Sequence, residues 1–159
     1  MYIRVMEFEY VIAQPVKEGV KESILYFKEM DTNSEPVFTL DKMAAMGFDS
    51  RGRAESFGEK YIHGVNIYIP VTNKPCIYKP IDSSNTIVVF PISEETLLYY
   101  KVEMVFTWKR FKKTDEGKEF TLDLFSAIEM LKENISFELT SLDAKAELLQ
   151  EQQKKWRGL

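Results

Sequence analysis

Leu97-Leu98-Tyr99-Tyr100-Lys101-Val102-Glu103-Met104-Val105-Phe106-Thr107-Trp108-Lys109-Arg110 carries the strongest strand pattern in the chain. Leu98, Tyr100, Val102, Met104, Phe106 and Trp108 alternate with Tyr99, Lys101, Glu103, Thr107 and Lys109, with Val105 among the latter. Side chains two apart share one face of a strand, so this spacing predicts a long, half-buried strand over 97–110. It also puts Lys101, Glu103 and Tyr99 together on the outward face. Shorter runs of the same kind lie upstream. Val65, Ile67, Ile69 and Val71 alternate with Asn66 and Tyr68; Cys76-Ile77-Tyr78 and Thr86-Ile87-Val88-Val89-Phe90 follow. Thr72–Pro75, Asp82–Asn85, Pro91–Glu95 and Thr114–Gly117 read as turns between strands. Links this short favour hairpins over crossovers.

Outside this region the pattern changes. Residues 3–12 alternate, with Met6, Phe8, Tyr10 and Ile12 on one face and Glu7 and Glu9 on the other. Pro15 then opens a stretch in which Val16, Val20, Ile24 and Phe27 recur at helical spacing, which predicts an amphipathic helix over 15–30. Lys42–Met46 reads as a short helix capped by Thr39 or Asp41 and ended by Gly47. Residues 47–60, with Gly47, Gly52 and Gly58, read as a long loop. Two helices are expected at the C-terminal end, over 121–134 and 142–156, with a short strand or extended link at 135–140. The expected fold is a single α+β domain over 1–159. Its one largely antiparallel sheet would have about four to six strands, with helices packed at the N- and C-terminal parts of the chain.

Composition bounds the function. The chain has 159 residues, 45% hydrophobic and 29% charged, which suits a packed core without crosslinks. A net charge of −4 gives no cationic bias toward nucleic acid, and no nucleic-acid partner is expected. No uncharged run approaches the ~20 residues of a membrane span. A single cysteine, Cys76, and no export signal point to a soluble protein of the cytoplasm.

Most of the polar functional vocabulary lies between Gly47 and His63. Ser50-Arg51-Gly52-Arg53 offers guanidinium forks to an anion, without the spacing of a P-loop or dinucleotide turn. Glu55, Glu59 and His63 stand four apart and would align on a helix, but the loop reading and Gly58 argue against a metal site. Cys76 and His63 are the candidate pair for thiol chemistry, and a strand position for Cys76 favours a structural role. Glu103, with Lys101 and Tyr99 beside it, would receive a cationic or hydrogen-bonding ligand if its face lined a pocket. Trp108–Lys113 interleaves aromatics with cations, but Asp115, Glu116 and Glu119 follow at once.

The last helix carries a narrow stripe of Leu142, Ala146, Leu149 and Trp156, with Gln152 and Gln153 where a further apolar residue would stand. Residues 141–159 are therefore expected to project and to dock on a protein partner or a second copy through Leu149 and Trp156. The functional expectation is a non-enzymatic interaction module, such as an accessory or assembly protein of a phage or mobile element. The alternative is a small-molecule-binding domain that uses Tyr99, Lys101, Glu103, Arg51, Arg53 and His63. A small enzyme built on His63 and neighbouring carboxylates comes third. No catalytic residue, metal ligand or cofactor is assigned.

Overall fold

A computed structural model describes residues 9–81, 86–104 and 106–157. Among the described residues, eight strands form two four-stranded antiparallel sheets. The first contains β1 (Tyr10–Glu18), β2 (Lys21–Met30), β3 (Pro36–Thr39) and β4 (Ile67–Pro70), in the order β3-β2-β1-β4. The second contains β5 (Cys76–Ile81), β6 (Thr86–Glu95), β7 (Tyr99–Glu103) and β8 (Trp108–Lys112), in chain order. Helix α1 (Arg51–Tyr61) lies between β3 and β4, and α2 (Leu124–Arg157) follows β8. The α+β class and the antiparallel pairing thus hold, but the single expected sheet is two. Of the strand read over 3–12, Met6 and Phe8 lie outside the described residues, as does the turn at 82–85.

The helix expected over 15–30 is a β-hairpin. Pro15 pairs with Ile24 and Glu18 with Lys21, and Gly19 turns the chain at φ +64°. A left-handed residue suits glycine because it has no Cβ to clash. Pro15 sits in β1 beyond the stretch paired with β4, which ends at Ala13, so its missing N–H removes nothing from that ladder. The helical spacing misled because both faces of the first sheet are covered. Ile24 and Tyr26 join Val11, Ala13, Ile67 and Ile69 on one face. Phe27 joins Ile12, Tyr68 and Ala54 of α1 on the other. A strand buried on both sides loses the period-two signature.

The stretch 97–110 is not one strand either. It folds back through Met104–Thr107, where the Met104 N–H donates to the Thr107 carbonyl at 2.7 Å; Val105 in this turn lies outside the described residues. Glu103 then faces Trp108, and Lys101 faces Arg110. The four-residue turn reverses parity. Tyr100 and Val102 remain inward and are met by Phe111, while Trp108 crosses to the Lys101 face.

At the C-terminal end one helix replaces two. No glycine or proline interrupts 124–157, so nothing stops propagation through the expected link at 135–140. Thr121, where the first of the two helices was expected to begin, is buried and bridged to Tyr78. Asp123 caps α2, accepting from the Ser126 N–H at 2.9 Å. At 34 residues α2 is ~51 Å long. Its first turns supply Leu124, Ala127, Ile128 and Leu131 to the core between the sheets, and described side chains from 140 to 157 are exposed.

Candidate functional site

Three places gather the chemically useful side chains. The first is the outward face of the β7–β8 hairpin. Cross-strand register places Tyr99, Lys101, Trp108 and Arg110 together. The Arg110 guanidinium lies 4.7 Å from the Trp108 ring centre and 5.7 Å from that of Tyr99. The Lys101 ammonium is 5.1 Å from the same Trp108 ring and 3.8 Å from the Glu94 carboxylate. Cations over aromatic faces are held by the ring quadrupole, so this face forms a cation–aromatic ladder. At one end it opens into a concavity of about 410 Å³ lined by Leu97, Leu98, Tyr99, Lys101 and Arg110. Glu103 stands at the other end of β7, exposed beside the turn. Trp108 and Arg110 were not singled out as ligand-binding candidates because the turn that moves them to this face breaks the alternation.

The second place is α1. The expected loop 47–60 is largely helical because Ser50 caps it, accepting from the Arg53 N–H at 3.2 Å. Arg51 and Arg53 therefore do not form an open anion cradle. Arg51 pairs with Glu55 at 2.6 Å, and exposed Arg53 pairs with Asp49 at 2.8 Å. Gly58, which argued for a loop, is required by close packing. A Cβ there would lie 2.6 Å from the Tyr68 hydroxyl oxygen. The C-terminal end of α1 is closed by Asn66, whose Nδ2 donates to the Ile62 carbonyl at 2.9 Å and the Gly58 carbonyl at 3.3 Å. Gln14 Nε2 completes the network, donating to Asn66 Oδ1 and the His63 carbonyl, both at 2.8 Å. This helix end and the edge of β6 enclose an open cleft of about 710 Å³, where Arg51, Glu55, Glu59, His63 and Tyr68 meet. It shares no lining residue with the hairpin concavity. Among the described residues no three His, Cys, Asp or Glu side chains converge as metal ligands.

Cys76 belongs to the core rather than to the cleft. It is packed with Ile67, Ile87 and Leu124, and burial pushes its thiol up, opposite to the need of a thiolate nucleophile. Tyr78, on the same strand, is pushed up to about 12, first by burial and then by Cys76, Tyr26 and Asp123 nearby. Tyr10, Tyr26 and Tyr68 are raised as well, burial leading in each. The neutral forms are thus favoured by the fold. Above the ordinary values of 9.0 for the thiol and 10.0 for the phenols, the unfolded chain loses protons before the folded one. Fewer protons bound in the unfolded state mean that stability falls as pH rises through this window, up to about 12 for Tyr78. Urea midpoints measured at about pH 8 and about pH 11 should therefore drop, and Tyr78→Phe should shrink the drop. An equal drop in the variant would show that Tyr78 is not responsible.

The third place is the exposed length of α2. Leu142, Leu148, Leu149 and Trp156 are all more than half exposed, Trp156 at 77%. Among the described residues, no side chain from 140 to 157 is buried, so nothing described covers this length of the helix. The comparisons with known proteins add no function to these surfaces: no family, no curated protein and no solved structure matches the chain.

Proposed function

We propose that this chain is a non-enzymatic binding and assembly module that engages other polypeptides through the β7–β8 hairpin and the exposed part of α2. One observation carries the reading. Large apolar side chains are left in water on both extensions: Phe106 and Trp108 on the hairpin with Leu97 and Leu98 in the link that leads into it, and Leu142, Leu148, Leu149 and Trp156 on the helix. Contiguous exposed apolar surface rimmed by charge marks contact sites more often than a solvated face. Trp and Arg, paired here at positions 108 and 110, are the side chains that dominate binding energy at interfaces. Amine-directed crosslinking in cells that express the chain tests the proposal. Crosslinks to other proteins should leave from Lys101, Lys109 and Lys112 on the hairpin and Lys145, Lys154 and Lys155 on α2, rather than from Lys21 and Lys28 of β2. Links scattered evenly over all these lysines would sink it.

The α1 cleft supports a second reading, a small polar ligand held by Arg51, Glu59, His63 and Tyr68. What favours it is the convergence of both charge signs with the single histidine in one opening.

A further inference from the structure

We propose that the exposed part of α2 pairs with the same segment of a second copy as a two-fold, antiparallel coiled coil. The inference rests on the interaction reading above and names the partner of one of its two surfaces. Leu142, Ala146, Leu149, Gln153 and Trp156 are spaced four, three, four and three residues apart. That is the heptad spacing of a coiled-coil seam, and helical geometry gathers the five into one narrow stripe. All five are exposed, and among the described residues no element of the same chain covers the helix along this length. Asp143, Gln150 and Arg157 flank the stripe on one side, and Lys145 and Gln152 on the other.

The stripe is self-complementary in one orientation. Let Leu149 face Gln153 of the partner subunit, antiparallel. The same register then brings Ala146 against Trp156 of the partner subunit, and the symmetry repeats both layers, so four of the five stripe residues pair and Leu142 lies beyond the last layer. The largest side chain of the seam meets the smallest, so the rings fill the space that alanine leaves. Along the flank, Asp143 stands beside Arg157 of the partner subunit, again twice, and Gln150 meets Gln150 of the partner subunit. Moving one heptad along sets Asp143 against glutamine instead. A parallel pair would stack tryptophan on tryptophan, leave alanine facing alanine, and bring no opposite charges together across the seam. A self-complementary patch is what a two-fold contact between identical chains requires.

The rest of the molecule leaves room for this pairing. In the proposed register, Arg157 of the partner subunit reaches only the level of Lys145. That is fourteen positions beyond Leu131, the buried α2 residue nearest the exposed segment among those described, or ~21 Å at helical rise. The two bodies sit at opposite ends of the paired helices.

Sedimentation equilibrium of the full chain from about 1 to about 100 µM tests the proposal. The mass should rise to twice 18.6 kDa with concentration. Trp156→Ala should weaken association at least about tenfold. Asp143→Arg alone and Arg157→Asp alone should each weaken it several-fold, and the double reversal should restore it, with unchanged helical circular dichroism in all four. A monomer at the highest concentration overturns the proposal. So does a dimer indifferent to Trp156→Ala, or a double reversal no better than either single change. A monomeric chain that still crosslinks to other proteins through its hairpin would sink self-pairing and leave the interaction reading standing.

Discussion

Phe120→Ala is expected to cost about 3–5 kcal/mol of stability. Phe120 is fully buried in the cluster that joins Ile77, Ile92, Tyr100, Val102 and Phe111. Its ring meets Phe111 at 5.4 Å and 71°, and Tyr100 at 6.1 Å and 89°, both edge-on. Such pairs add about 0.5–1.5 kcal/mol each beyond area burial. The backbone around it cannot slide inward to fill the void. Its carbonyl accepts from the Gly117 N–H at 2.7 Å, and the next residue, Thr121, exchanges two hydrogen bonds with Tyr78 of β5. Urea unfolding should show a lower midpoint at unchanged slope. Amide exchange should rise first in the β7–β8 hairpin, whose inward face Phe120 covers. A loss below about 1 kcal/mol would mean that the cluster relaxes around the gap.

Gly58→Ala has two opposed expectations, and the sign decides between them. On an exposed helix the change should stabilise by about 1 kcal/mol, since alanine is the better helix former. Here Gly58 is buried against Tyr68, and the added carbon would lie 2.6 Å from the hydroxyl oxygen and 3.1 Å from the ring. Tyr68 cannot swing clear, because it is packed with Ile12, Phe27 and Ile62 on a strand paired to β1. Overpacking of this kind costs about 1–3 kcal/mol, so a net loss is expected. Tyr68→Phe removes the nearest atom. The double variant should therefore recover most of the loss, and the mutational cycle should show coupling of about 1 kcal/mol. Additive effects would place the strain elsewhere.

Gly58 also shows why α1 was illegible. Its two glycines and mixed charges give a weak amphipathic signal, and the reason for Gly58 is a tyrosine on a distant strand. Glu55, Glu59 and His63 do meet around one cleft, but through the end of α1 and the Asn66–Gln14 network rather than through a helix running to His63. No spacing rule links Gln14 to Asn66. The hairpin face was half legible: Tyr99 and Lys101 were placed together by strand parity, while Trp108 and Arg110 reach them only across the turn.

What the sequence determined alone was the class of structure. Alternation within 65–71 and 99–103 calls for strands, short polar links call for antiparallel pairing, and the stripe from Leu142 to Trp156 calls for a helix. Those signals are local, set by period and turn chemistry within a few residues. Tertiary structure alone decided where the long central run turns back, that 15–30 is a hairpin with packing against both faces of β2 around Ile24–Phe27, and that one helix runs unbroken from Leu124 to Arg157. Each depends on partners far along the chain. A four-residue turn reverses which side chains share a face, and a second covered face erases the periodicity by which a strand is recognised. The long strand seen first in 97–110 is thus two strands, and folding it back is what brings Trp108 and Arg110 to the Lys101 face.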